Sequence, residues 1–221
     1  MTLRKAMSVL KPYYMKNVLE AGIDEAGRGP LFGRVYTAAV ILPQDDSFNH
    51  SLMKDSKKFS SKKKIKEAYD YIIENAIDYE VAWMDEKDID KFNIRKATHK
   101  AMHNAVTNLR VKPEHLLVDG NDFTPYVYIH DGDEIDVTSI AHTCIKQGDD
   151  KFTPIAAASI LAKVERDKYI EELCEEYPNL EEFYGIRSNK GYGAKKHLQG
   201  IKQYGITEWH RKTFGICKNY K

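Results

Sequence analysis

Two short apolar runs constrain this chain more than anything else in it, because each of them ends on an acid. Residues 18–23 run into Asp24-Glu25 and then into the glycine-rich stretch Gly27-Arg28-Gly29-Pro30. Residues 115–118 run into Asp119-Gly120. Apolar runs of this length, closed by turn residues, read as buried strands. A strand end holds its side chain rigidly, so acids that recur there are placed rather than merely solvated. A further acid, Asp149, follows Gly148 just ahead of Pro154, a residue suited to opening a helix.

The remaining pattern is mixed α/β. Residues 34–42 read as a second, largely buried strand, followed by a loop at Pro43 and 44–49. Ser60 or Ser61 caps a helix through Lys66, Tyr69, Ile72 and Ile73, and 79–84 is a strand. Ile94, Ala97, Ala101, Ala105 and Leu109 recur at helical spacing, and Pro113 ends that helix. Two more strands are expected at 126–130 and 135–141, a long helix at 155–177 and a last helix at 194–204. There is no internal repeat, low-complexity tract or Gly/Ser linker. At 221 residues, 42% of them hydrophobic, the chain fits one domain with an ordinary core.

Charge and cysteine usage narrow the function classes. The net charge of +1 says little, but its distribution is uneven. Segments 67–90 and 165–182 are acidic, whereas from 190 onward Lys190, Lys195, Lys196, Lys202, Arg211, Lys212, Lys218 and Lys221 face only Glu208. A second basic run at 54–66 contains Lys57, Lys58, Lys62, Lys63 and Lys64. This suits a protein with one phosphate-facing side, although lysines also decorate solvated faces. Cys144, Cys174 and Cys217 are scattered and odd in number, so neither a disulfide framework nor a zinc site is indicated. No apolar run is long enough to span a bilayer and residues 1–10 do not read as a signal peptide, so a cytoplasmic protein is expected.

Asp24, Glu25, Asp119 and Asp149 are four carboxylates delivered from three separated places. Hard divalent cations take oxygen ligands, and four carboxylates suffice for two ions about 3.5–4 Å apart. Each piece has a plainer reading: Asp24-Glu25 as a charged loop, Asp119-Gly120 as a turn, Gly148-Asp149-Asp150 as a helix-capping acid cluster. Their joint occurrence favours the metal.

The stretch GIDEAGRGPLFG resembles the signature of ribonuclease HII, and so does the order of the later motifs. Those are Asp55-Ser56-Lys57-Lys58-Phe59-Ser60, Leu117-Val118-Asp119-Gly120, Gly148-Asp149, the alanine-rich run 155–164, Lys190-Gly191-Tyr192-Gly193, and 197–214 with His210-Arg211 near its end. The resemblance covers 21–214. It implies an α/β ribonuclease H-like domain over 1–221, a mixed central sheet flanked by helices, with 178–221 as a C-terminal helical substrate-binding segment. It implies that Asp24, Glu25, Asp119 and Asp149 hold two divalent ions, Mg²⁺ or Mn²⁺. It further implies hydrolysis of the RNA strand of RNA/DNA hybrids, and incision 5′ of single ribonucleotides in duplex DNA. The backbone of Gly27-Arg28-Gly29 would read the 2′-hydroxyl, Arg28 would add a phosphate contact, and Tyr192 would pack on the next sugar. Lys57, Lys58 and Lys163 would reach phosphates or orient carboxylates. A monomer with no obligatory protein partner is expected.

Other features read as structural. The run Ala156-Ala157-Ala158-Ser159 suits close helix packing, and His142 reads as a packed or solvated histidine. Asp131, Asp133, Glu134 and Asp136 lack the spacing of a calcium loop. Gln203, Ile206 and Trp209 faintly resemble a sliding-clamp-binding peptide, with a structural role favoured. Phe32 and Arg34 depart from the family pattern, and their bulk beside the turn leaves fine substrate preference open. Rival readings are a ribonuclease HIII-like enzyme, a structure-selective DNA nuclease, and a non-catalytic hybrid-binding module. Metal-dependent cutting separates the last from the first two.

Overall fold

In the computed structural model, residues 10–130 and 136–220 are described. Asp131, Asp133 and Glu134 lie outside them, as does 1–9. The elements are β1 (Glu20–Ala26), β2 (Val35–Ile41), α1 (Lys62–Asn75), β3 (Asp78–Met84), α2 (Glu86–Phe92), α3 (Ile94–Asn108), β4 (His115–Asp119), β5 (Tyr126–His130) and β6 (Asp136–Ile145), followed by helices only. These are α4 (Thr153–Glu176), α5 (Asn179–Tyr184), α6 (Ile186–Asn189) and α7 (Lys195–Tyr204). The strand order is β3-β2-β1-β4-β6-β5, with β1, β4 and β6 parallel and β5 antiparallel to β6. This is the mixed sheet with flanking helices that the sequence predicts.

Register decides where the acids emerge. Ile23 pairs with Val118, so the next residues, Asp24 within β1 and Asp119 at the carboxyl end of β4, stand side by side. In α/β sheets that end is where ligands bind. β1 continues through Ala26, so Asp24 and Glu25 lie within the strand rather than just beyond it as expected. β6 runs to Ile145 rather than 141 because Thr143, Cys144 and Ile145 go on pairing with β4 up to Asp119.

The chain divides into two compact units. One comprises Met1–Asp24, Ala39–Tyr79 and Leu109–Ile160, the other Glu25–Ala38, Glu80–Asn108 and Leu161–Lys221. Strands β1, β2 and β3 and helix α4 pass from one into the other.

In the first unit, Leu117 packs with Phe152 and Ile155, so the start of α4 is held against β4. A Cβ on Gly22 would lie 2.1 Å from the carbonyl carbon of Pro154, so only glycine lets the helix seat on β1. Ser61 caps α1 by accepting from the Lys64 amide at 3.3 Å. Ala156, Ala157 and Ala158 are fully buried, as their small size suggests. His142 packs edge-on against Phe123, which fits its structural reading.

In the second unit, Phe32, Tyr36, Ile170, Leu180, Ile201 and Cys217 form the core, with Ile206 and Trp209 packed against it. Those two side chains are thereby committed to the fold, in line with the structural reading of 203–210. The sequence leaves open how Phe32 and Arg34 bear on access to the turn. The Phe32 ring is fully buried, and the Arg34 guanidinium lies over the rings of Trp83 and Tyr169. Helices α2, α5 and α6 escape the sequence pattern because each is at most seven residues long.

Gly22→Ala is expected to cost roughly 1–3 kcal/mol, because the added methyl meets main chain rather than a movable side chain. The midpoint of thermal unfolding followed by circular dichroism checks this.

Candidate active site

The first unit gathers three of the four carboxylates named from the sequence around one ammonium. Asp24 and Asp149 are buried, and Asp119 accepts from the Gly148 amide at 2.7 Å. That bond ties the end of β4 to the short 3-10 turn Gly148–Asp150 that presents Asp149. Lys57 sits on another such turn, Ser56–Lys58, capped by Asp55, whose carboxylate accepts from the Lys57 amide at 2.9 Å. Ser56 Oγ lies 3.0 Å from Ser159 Oγ on α4, which anchors the turn. Burial alone lowers the Lys57 pKa, but the charges of Asp55, Asp149, Asp24 and Asp119 outweigh it, and the pKa rises. Lys58 pairs with Asp150 alongside.

Negative charge is in excess at this corner. Burial, then the charges of Asp119 and Asp55, push the Asp149 carboxyl up to about 6, and Lys57 only partly offsets them. Carboxylate oxygens short of positive charge are the donors that a hard divalent cation takes. Their spacing is not that of a closed cage: among the described residues, no three His, Cys, Asp or Glu side chains stand ready to clasp an ion together. Donor chemistry fits the metal, and the carboxylates are gathered about a lysine.

The second unit holds the remaining elements. Glu25 pairs with Arg28 at 3.2 Å. Gly27 has a φ of +94°, and a Cβ there would lie 2.1 Å from Arg166 Nε, so the space is filled by an arginine. A Cβ on Gly29 would sit 3.4 Å from Cε1 of Tyr192, whose ring is 51% exposed. Two motifs far apart in sequence thus meet, the glycine turn and the exposed tyrosine. Lys163 is engaged by Asp167 one turn along α4.

Sequence reasoning missed what holds the turn. Arg211, expected in the basic face, is fully buried. Its Nε donates to Gly33 O at 2.8 Å, one terminal nitrogen to Arg28 O and Pro30 O at 3.0 and 2.9 Å, and the other to Gly27 O at 2.6 Å. Arg166, also buried, donates to the carbonyls of Arg34, Phe32 and Lys190. Burial, then the neighbouring Arg166, lowers the Arg211 pKa to about 9. Main-chain bonds complete the brace: Leu31 N to Gly191 O, Gly33 N to Trp209 O, and Arg211 N to Leu31 O, at 2.8–2.9 Å.

A buried histidine pair lies beside it. Thr207 N donates to His210 Nδ1 at 2.9 Å, so the proton of that ring sits on Nε2. His210 Nε2 then donates across 3.1 Å to His197 Nε2, and His197 Nδ1 donates to Tyr192 O at 2.8 Å. Burial, then His197, holds His210 neutral with a pKa of about 3. Phe32 packs edge-on against both rings. No local pattern announces such a chain; the one sequence hint is His210-Arg211 inside the closing motif.

Comparison with known proteins gives the family and the fold. The family model "Ribonuclease HII" matches residues 21–217. A ribonuclease HII of Parabacteroides distasonis is 48% identical over 208 residues, covering 94% of this chain and 96% of that one. The crystal structure of ribonuclease H2 from Pyrococcus horikoshii OT3 superposes with a TM-score of 0.70 at 25% identity, covering 90% and 95% of the two chains. A structure of the PCNA:RNase HII complex from Archaeoglobus fulgidus gives 0.69 at 25% identity, covering 90% and 96%. Bst-RNase HIII in complex with Mn²⁺ shares the fold alone, with a TM-score of 0.60 at 18% identity, and this chain covers 64% of it.

Without added divalent cation, Asp149→Asn is expected to stabilise the protein by on the order of 2–3 kcal/mol at pH 7.5. The folded pKa of about 6 exceeds the unfolded 3.8, so ionised Asp149 opposes folding above pH 6 and not below pH 3.8. Urea titrations at pH 7.5 and pH 4 check this: the gain should be present at the first and absent at the second.

Proposed function

The chain belongs to the ribonuclease HII family and is a ribonuclease H endonuclease, and from that premise we propose that it incises duplex DNA on the 5′ side of single embedded ribonucleotides and also cuts longer RNA/DNA hybrids. The observation that supports this most is the exposed Tyr192 ring beside Gly29. A turn that feels for a 2′-hydroxyl, next to a flat ring that packs on a sugar lacking one, is suited to an RNA-to-DNA junction. Arg28 and Lys57 are assigned contacts to phosphates. The segment 178–221 supplies the rest of the substrate-binding wall, and the activity is placed in the cytoplasm with the chain acting as a monomer.

Asp24, Asp119 and Asp149, with Glu25 next along β1, would hold two divalent ions, Mg²⁺ or Mn²⁺, which supply when bound a nucleophilic water and charge relief for the departing 3′-oxygen. Products carry 5′-phosphate and 3′-hydroxyl ends. The carboxylates' own part is to fix the donors at the strand ends and to keep negative charge away from the scissile phosphate unless a cation is present. A hybrid-binding module without catalysis is disfavoured by those same acids, which without a cation repel a phosphodiester. A sliding-clamp contact belongs to the Archaeoglobus relative, and none is proposed through 203–210, where Ile206 and Trp209 are packed inward.

The test offers end-labelled duplexes with one ribonucleotide, all RNA in one strand, or all DNA, with Mg²⁺ or Mn²⁺ and then with EDTA. Cleavage at the 5′ side of the lone ribonucleotide and within the hybrid is expected, none of the all-DNA duplex, and none after chelation. Cutting the hybrid alone marks a ribonuclease HIII-like preference; equal cutting of all-DNA refutes the reading. Asp24→Asn is expected to drop turnover to below roughly a hundredth while unfolding at an undiminished midpoint.

A further inference from the structure

Arg211 carries more charge into the core of the second unit than a merely structural residue needs. A buried guanidinium is costly unless its donors are met, and here four of the five N–H groups are matched by carbonyls of one short segment, Gly27, Arg28, Pro30 and Gly33. The trans peptide is planar, so a carbonyl and the amide N–H that follows it point in opposite directions. Carbonyls of Gly27 and Arg28 drawn in toward Arg211 therefore turn the amides of Arg28 and Gly29 the other way. The geometry is checked at Pro30, whose carbonyl faces Arg211 while the next amide, Leu31 N, faces away to Gly191 O at 2.9 Å. That bond in turn joins the turn to the loop of Tyr192.

The same short segment of chain grips the tyrosine loop from behind. His210 precedes Arg211 and hands its hydrogen bond through His197 to Tyr192 O. Arg166 adds a second tie, bonding Phe32 O and Lys190 O with one nitrogen. A flexible lysine has one donor head and cannot reproduce this fork.

We propose that Arg211 is the positioning residue of the sugar-reading turn, and that the His197–His210 chain locks the Tyr192 loop to the same segment, so that turn and tyrosine keep a single spacing. This rests on the ribonucleotide-recognition reading above. Arg211 touches no substrate; it acts through the amides of Arg28 and Gly29 and through the seat of the Tyr192 ring.

The test uses Arg211→Lys and His197→Phe in the full chain, the second keeping ring volume while removing both hydrogen bonds. Hydrogen exchange read by mass spectrometry is expected to quicken by about tenfold over 27–33 and 190–194 in both variants, with 115–119 unchanged. On a single-ribonucleotide duplex, KM is expected to rise about tenfold and the preference over all-DNA to narrow, with kcat within about threefold. Native-like exchange at both segments in either folded variant overturns the proposal, as does a loss of kcat at unchanged KM. Should Arg211→Lys fail to fold, His197→Phe alone decides, because its ring stays filled. A wild-type protein that does not prefer the ribonucleotide sinks the functional reading instead, and the exchange result still judges the brace.

Discussion

Charge removed from water must be met by something, and the two units of this protein meet it in opposite ways. In the first, buried acids crowd together with too little compensation, so Asp149 resists ionising and its proton affinity climbs. In the second, the buried guanidinium groups of Arg211 and Arg166 are met by main-chain carbonyls rather than by paired acids. The first arrangement leaves negative charge that a cation would offset; the second already has carbonyls turned onto its positive charge. A site that recruits its positive charge and a scaffold that already contains its own are complementary requirements of one enzyme. Stability is given up where binding is needed and recovered where geometry must not vary.

Much of this was legible in the sequence, and the reasons are particular. Asp24 and Asp119 announce themselves because each closes an apolar run, and parallel pairing of β1 with β4 turns that coincidence into proximity. Pro154 and the alanines after it mark α4 because proline opens helices and small residues pack closely. Tyr192 stood out between two glycines. What stayed hidden was long-range. Nothing near Arg211 distinguishes it from the exposed lysines around it, since its partners lie 178 to 184 residues away along the chain. The place of Phe32 was open for the same reason: it follows the turn in sequence, and only the fold puts its ring in the core.

Family membership and local chemistry explain different things. Likeness over nearly the whole chain to ribonuclease HII proteins accounts for the sheet and for the class of reaction. The individual roles come from physics on a smaller scale: Asp55 as both cap and neighbour of Lys57, Ser56 against Ser159, two imidazoles whose tautomers are dictated by a backbone amide. Gly27 is instructive. Its missing side chain suits close approach by a ligand, yet the room is occupied by Arg166, so that glycine serves the frame behind the turn. Gly29, next to the tyrosine, is where open space matters.

The span between Gly27 and Arg211 has a consequence for biosynthesis. Translation delivers the chain from its amino end at about 5–20 residues per second, and folding begins on what has emerged. Strand β1 and the glycine turn are among the first segments made, but the guanidinium that orients the turn belongs to residue 211. For roughly ten seconds at the slower rate, a nascent chain that already has Asp24, Glu25, Asp119 and Asp149 still lacks the guanidinium that braces the turn. The brace of the turn is thus acquired last, after every one of those acids has been made.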